Sequence, residues 1–395
     1  MNEYPRSEVD RAMKVQEVIM RAMSGELQWY EAAEIIGVSC RTMRRWKWRY
    51  EAYGYDGLFD RRRQRPSPKR VPMQTVQEVL RLYREQYKGF NISHFHDKLI
   101  EEHGMALSYE WVKKALQTAG LVSQGRKRGT HRKRRERRPL KGMLLFCDGS
   151  THEWMPLLPG QQQDLIVYLD DATNEVYAAY LVEEEGTRTC MQGLMQVVRE
   201  QGIFCSFYTD RGGHFFYTPK ANGPVDHMRL TQIGRAMAQL GIEHIPSYSP
   251  QARGRMERLF GTWQGRLPQE LRKAGIRTMQ EANAYISEKF LPWYNRKLTV
   301  QPREEGSAFV PAGDTDLDAI ICLQHERVVQ NDNTVPFAGH QLQIQPSQWR
   351  VSFAKCRVKV CEHLDGCISI RYGPRILGWF LQDGTPLRER KRKVA

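Results

Sequence analysis

The sequence predicts a multidomain chain with three kinds of structure in series: all-α modules at the N-terminus, a central α/β core, and a small all-β module at the C-terminus. Three changes of pattern carry this prediction. Apolar residues recur at helical spacing from residue 11 to about 121, and from 142 short, nearly continuous apolar runs alternate with helical patterns. Beyond 320, short alternating strands take over. A chain of 395 residues is also too long for one ordinary core.

Charged residues make up 27% and hydrophobic ones 41%, the balance of a globular protein. No apolar stretch is long enough to span a bilayer, so no membrane partner is expected. The start, Met1-Asn-Glu-Tyr-Pro-Arg6, lacks the apolar stretch of a signal peptide. Basic residues number 60 against 45 acidic ones, a net charge of +15 that suits a polyanion binder. Eight cysteines in so long a chain are no disulfide framework, and no CxxC pairs with an HxxxH as in a zinc knuckle. A reducing cytoplasm, bacterial and close to the nucleoid, is the expected location.

Residues 1–60 read as a helix-turn-helix module. Ala12, Val15, Ile19 and Met23 form one stripe, and Ala33 lies one turn before Gly37. Ile36, Val38, Met43 and Trp46 would hold two helices across a short turn, where a glycine can take positive φ. Ser39 is a candidate N-cap for the second helix, whose exposed face carries Arg41, Arg44, Arg45, Lys47 and Arg49. Such a face reaches phosphates and guanine edges of double-stranded DNA; the competing reading is a helical hairpin with a solvated basic face.

Residues 61–72 are a basic, proline-punctuated linker, either solvated or laid along DNA. Residues 73–122 form a second helical unit resembling a helix-turn-helix or the helices of a winged helix, with Ser108 capping its last helix. His94 and His96 are expected to cap or to face solvent rather than to bind metal. The linker 123–141 holds the densest basic run, including Arg126, Lys127 and Arg128, and reads as a DNA backbone clamp.

From 142 to 305 the order is three antiparallel strands, a helix, a strand, a helix, a strand and a long helix from about 252. That is the layout of a ribonuclease-H-like sheet, in which the first strand lies beside the fourth and parallel to it. Asp148 and Asp210 would leave neighbouring strands at one edge, where open α/β sheets place their ligands. Met256, Leu259, Phe260, Trp263 and Leu267 give the long helix a buried stripe, and Glu257 borders it. Three converging carboxylates repel one another unless hard divalent cations intervene. Two Mg²⁺ ions, with Mn²⁺ as a substitute, would suit them and would support an in-line phosphoryl displacement.

The motifs Phe146-Cys-Asp148-Gly149, Tyr208-Thr-Asp210-Arg-Gly-Gly213 and Tyr248-Ser-Pro-Gln-Ala-Arg-Gly-Arg-Met-Glu257-Arg258-Leu-Phe-Gly-Thr262 resemble those of a known family. Residues 142–300 are similar to the integrase catalytic core of the DDE transposase and retroviral integrase superfamily. The whole chain resembles bacterial insertion-sequence transposases of the ISNCY group. The resemblance implies that Asp148, Asp210 and Glu257 are the catalytic, metal-binding triad. Gln264 stands where many relatives carry Lys or Arg, so phosphate contact would pass to Arg253, Arg255 or Arg258; Arg211 replaces a common Asn. His214 would contact a phosphate or serve the turn. Trp293-Tyr-Asn295 resembles the motif that closes the core.

Residues 320–387 are expected to form a small SH3-like β-barrel that helps bind DNA or assemble protomers, followed by a basic tail at 388–395. The function expected from these readings is metal-dependent cleavage of transposon inverted-repeat ends and their transfer to target DNA, by a homo-oligomer. The alternative is a structure-specific nuclease of the same fold that never joins strands.

Overall fold

A computed structural model of the chain describes residues 4–60, 70–123, 135–220, 223–248 and 254–387. The chain divides into two compact units, Met1–Val79 and Leu80–Ala395. In the first, α1 (Arg6–Met23), α2 (Trp29–Ile36) and α3 (Cys40–Tyr53) pack Val15, Val18, Ile19, Ala32, Ala33, Met43 and Trp46 into one cluster. Gly37 ends α2 at φ 74, a left-handed conformation that suits glycine. The Ser39 hydroxyl accepts from the Thr42 amide at 3.3 Å and so starts α3. Much of the linker 61–72 and of the basic run 123–141, and the whole tail 388–395, lie outside the described residues.

The helix α4 (Met73–Glu85) crosses the boundary between the units, and α5 (Ile92–Glu101) and α6 (Tyr109–Thr118) follow. The core then runs β1 (Leu144–His152), β2 (Gln163–Asp170), β3 (Val176–Val182), α7 (Thr187–Glu200), β4 (Ser206–Thr209), α8 (Gln232–Leu240), β5 (Glu243–Pro246) and α9 (Gly254–Gln264). After it come α10 (Leu267–Lys273), α11 (Met279–Tyr285), a π-helical turn (Ile286–Phe290) and α12 (Leu291–Leu298). The sheet order is β3-β2-β1-β4-β5, with β1 antiparallel to β2 and parallel to β4, and β4 parallel to β5. This is the ribonuclease-H-like arrangement.

Both faces of the sheet are covered, which is why its strands read as nearly unbroken apolar runs. Leu145, Cys147, Ile166, Tyr168 and Phe207 meet α7 and α8 on one face. Leu144, Phe146, Leu165 and Val167 meet Met256, Leu259, Phe260 and Trp263 of α9, with Phe290 and Tyr294, on the other. The single long helix expected from about 252 is broken after Gln264. Pro268 stands in the first turn of α10, has no amide hydrogen to donate and would clash with the carbonyl one turn back. Leu267 is still buried, but on the second helix.

α5 is bound to the core by ionic contacts. Glu270 of α10 takes His94 Nε2 at 2.7 Å and Lys98 Nζ at 2.7 Å. Asp97 pairs with Arg266 at 2.8 Å and with Lys297 at 2.6 Å, and Asn91 Nδ2 donates to the Gly265 carbonyl at 2.9 Å. His94 is therefore buried, only 2% exposed, instead of capping or facing solvent as expected; α10 covers it. His96 is half-buried and bonded to the Leu107 carbonyl at 2.8 Å.

The C-terminal part holds α13 (Leu317–Ile320), β6 (Leu323–Val328), β7 (Thr334–Phe337), β8 (His340–Gln343), β9 (Arg357–Glu362), β10 (Ile368–Tyr372), β11 (Arg375–Phe380) and β12 (Pro386–Leu387). Five of these strands pair in the order β12-β11-β10-β9-β6, while β7 and β8 form a separate hairpin. Among the described residues the ladder stays open, and the strand pairing does not establish the expected SH3-like barrel. Val335, Phe337 and Leu342 of the hairpin lie in the sheet's apolar cluster with Val358, Val360 and Ile370, which joins the two through packing instead of through a continuous ladder. No described helix is long and apolar enough to cross a membrane.

The ionic seam makes a stability prediction. Burial opposes the charge of Glu270, yet hydrogen bonds from His94 and Lys98 hold its carboxyl down to about 2. Its stabilising contribution is complete above the usual carboxylate range and is lost as pH falls from about 4.5 towards 2. Glu270→Gln, which removes this partner but leaves Lys98 paired with Glu102 at 3.0 Å, should lower unfolding free energy at neutral pH by about 1.5–3 kcal/mol. Urea denaturation at neutral pH and again near the acid end should show that difference shrinking.

Candidate functional site

β1 pairs with β4 so that Phe146 lies opposite Tyr208, and their rings meet edge to face at 5.4 Å. The pairing ends there; Asp148 stands two residues further along β1, and Asp210 two residues further on, in the turn after β4. Alternation along β1 puts Asp148 on the face that carries Phe146, which is the face under α9. Asp148 lies inside β1 rather than at its end and is 8% exposed. Asp210 is half-buried in the turn after β4, where its Oδ1 accepts from the Gly212 amide at 2.9 Å.

Glu257 enters from α9, which is anchored to β1 near both ends. Arg255 pairs with Asp171, whose amide donates to the Leu144 carbonyl at the start of β1 at 3.0 Å. Gln264 Nε2 donates to Ser150 Oγ beyond Asp148 at 3.2 Å. Glu257 lies between these anchors, on the helical face shared with Gln264 two turns later. It is exposed, and no described side chain binds it. The three carboxylates do not all lie within 4.8 Å of one another, whereas a different trio does.

That trio is Glu185, Cys190 and His214, on the opposite face of the same sheet edge. Glu185 sits against Gly149, where a Cβ would stand 2.1 Å from the carboxylate, so a side chain after Asp148 would push the end of Glu185 aside. Glu185 and Cys190 lie five residues apart and His214 24 further on, which matches no common ligand spacing, so the sequence offered no signal for the group. His214, expected at a phosphate or in the turn, belongs to this group.

The expected DNA-contacting residues divide into three sets. Arg41, Arg44 and Arg45 are exposed on α3, the second helix of the helix-turn-helix. Lys47 is half-buried, over the Trp29 ring at 4.7 Å and 3.8 Å from Glu51. Arg258 is exposed one residue after Glu257. Arg255, by contrast, is engaged inside the protein: its side chain is 11% exposed and it meets the fully buried Asp171. Arg135 shares that carboxylate, and the Arg138 amide donates to it at 2.7 Å, so the end of the basic run grips the core. Arg126, Lys127, Arg128 and Arg253 lie outside the described residues. Arg211 donates to the Gly223 carbonyl at 2.8 Å and lies over the Tyr248 ring. Trp293 stacks beneath Arg266, and Asn295 bonds both the amide and the carbonyl of Val176, which secures α12 against β3.

A family model for a helix-turn-helix domain matches residues 16–67, and one for a homeodomain-like domain matches residues 42–116. The chain is 28% identical over 366 residues to y4bF of Sinorhizobium fredii, a protein named as a transposase, covering 92% of this chain and 79% of that one. It is 26% identical over 399 residues to the transposase for insertion sequence IS1202 of Streptococcus pneumoniae, covering 91% of this chain and 84% of the other. Among solved structures it is similar to the HTLV-2 integrase catalytic core domain in complex with magnesium, at 16% identity and a TM-score of 0.30, covering 42% of this chain and 93% of that one. A simian T-cell lymphotropic virus intasome in complex with PP2A regulatory subunit B56 gamma matches at 13% identity and a TM-score of 0.34, covering 79% and 100%. The chain is thus similar over more than nine tenths of its length to two bacterial proteins named as transposases, and it carries helix-turn-helix matches ahead of its α/β core.

Proposed function

We propose that this protein is a metal-dependent DNA transposase that cleaves transposon ends and joins the freed 3′ hydroxyl to target DNA. The observation that carries the reading is the parallel pairing of β1 with β4, which ends two residues short of both Asp148 and Asp210, on a sheet one face of which packs against the helix that bears Glu257. The donor set fits hard cations, since all three ligands are carboxylates, and Asp148 is an acid held at 8% exposure, where a nearby cation would favour its charge. Asp148, Asp210 and Glu257 would hold a pair of Mg²⁺ ions, which would supply activation of the attacking oxygen and stabilisation of the leaving oxygen.

The protein's own residues provide the rest. The β1–β4 ladder ends two residues before each aspartate and gives both a rigid base, which on this reading limits their reorganisation on binding. Gly212 takes one oxygen of Asp210 and orients the other. Glu257, exposed and without a described partner, is the member that can swing inwards. Arg258 beside it is available to a phosphate. Arg41, Arg44 and Arg45 on α3 read the terminal inverted repeats, and a homo-oligomer brings two ends together.

Asp148→Asn should abolish both end cleavage and the joining of a pre-cleaved 3′-OH end in Mg²⁺ or Mn²⁺, while end binding in a gel-shift assay is retained. Normal cleavage by this variant would refute the assignment. In the wild type, cleavage without any joining of the pre-cleaved end would favour a nuclease of the same fold. Replacing Arg44 and Arg45 with Ala should weaken end binding and reduce the salt-dependence slope by about one per arginine. Binding titrations at several salt concentrations measure that slope.

A further inference from the structure

The group formed by Glu185, Cys190 and His214 has a chemistry that the transposase reading does not use. We propose that these three residues form a separate site for a zinc-class divalent ion, which clips the turn bearing Asp210 to the start of α7. Their ligand atoms all lie within 4.8 Å of one another. His214 Nε2 is 3.2 Å from Glu185 Oε1, and Cys190 Sγ is 3.7 Å from the same oxygen. The edges of a tetrahedral zinc site built from such donors are about 3.3–3.6 Å, so an ion could enter with only small adjustments of the side chains. One thiolate, one imidazole and one carboxylate suit zinc or cobalt and do not suit magnesium, which takes oxygen donors.

Each donor is prepared for the role. Cys190 lies in the first turns of α7, where the helix N-terminus favours a thiolate, and it is 1% exposed. A hydrogen bond from the buried Cys147 thiol, opposed by burial and aided by the His214 ring, holds Cys190 below the ordinary thiol range. His214 and Glu185 are each about one-fifth exposed, which leaves a route for an ion and a fourth position for water. Burial alone would lower the His214 ring, but its contacts with Cys190 and Glu185 push it up to about 10.

The position gives such an ion a structural consequence. His214 follows Asp210 on the same turn, and Glu185 rests on Gly149 next to Asp148. An ion here would tie together the backbone segments beside both aspartates.

The test uses the full-length protein, freed of metal by chelation and titrated with Co²⁺ as the probe. The expected result is one equivalent per chain, with tetrahedral d–d bands and a thiolate-to-cobalt charge-transfer band that Zn²⁺ abolishes and Mg²⁺ does not. Cys190→Ser should remove the charge-transfer band. His214→Gln should weaken Co²⁺ binding by more than about tenfold, with circular dichroism reporting that the fold is intact. Replacing the exposed Cys40 and Cys205 with Ser should leave the signal unchanged. Asp148→Asn should also leave it unchanged, so this site stands or falls independently of the triad. Absence of stoichiometric uptake, or a charge-transfer band that survives in Cys190→Ser, would overturn the proposal in favour of a metal-free imidazolium bridge.

Discussion

The parallel pairing of β1 with β4 is the constraint on which the rest of the molecule depends. It sets side by side the strands that lead to Asp148 and Asp210, although the two strands are separated in sequence by β2, β3 and α7. A slip of one residue would turn one acid to the opposite face, where α7 and α8 pack, so the pairing must be held firmly. Apolar layers on both faces hold it, with Phe207 and Tyr168 stacked at 5.7 Å on one side and Phe146 against Tyr208 on the other. Strands this buried have few alternative registers that keep every large side chain packed.

A second constraint is electrostatic. Asp171 is fully buried yet charged groups converge on it, Arg255 from α9 and Arg135 from the segment before β1. Taking these charges out of water is costly, and the arrangement is tolerated because the carboxylate is also bonded by the Arg138 amide. Its effect is geometric: it fixes the N-terminal end of α9, and with it the height at which Glu257 stands over β1. The Glu270 cluster does the same for α5, tying the helices ahead of the core to α10. A net positive chain thus uses several of its arginines and lysines internally, and the basic surface left for a polyanion is smaller than composition suggests.

Legibility in the sequence followed the range of the interactions involved. Gly37 and Ser39 shape the turn of the helix-turn-helix through contacts with residues only a few positions away, and both did what their local chemistry predicts. The strands of the core were visible because burial on both faces leaves an apolar run. The break between α9 and α10 was also local, written in Pro268, but the strong apolar stripe through Leu267 concealed it. His94 could not be placed from its neighbours, because the residue that buries it, Glu270, lies far along the chain. Arg255 was misplaced for a similar reason: nothing near it in sequence announces Asp171.

By itself the sequence determined the succession of helical modules, α/β core and β-rich end, and it singled out Asp148, Asp210 and Glu257, because periodicity and short motifs are properties of contiguous residues. The tertiary structure alone decided which arginines are free to meet a ligand, and that the C-terminal strands stay an open sheet with a hairpin. It also gathered Glu185, Cys190 and His214 at one edge. These outcomes depend on side chains that meet only after the sheet has formed, when long-range pairing brings distant segments within bonding distance.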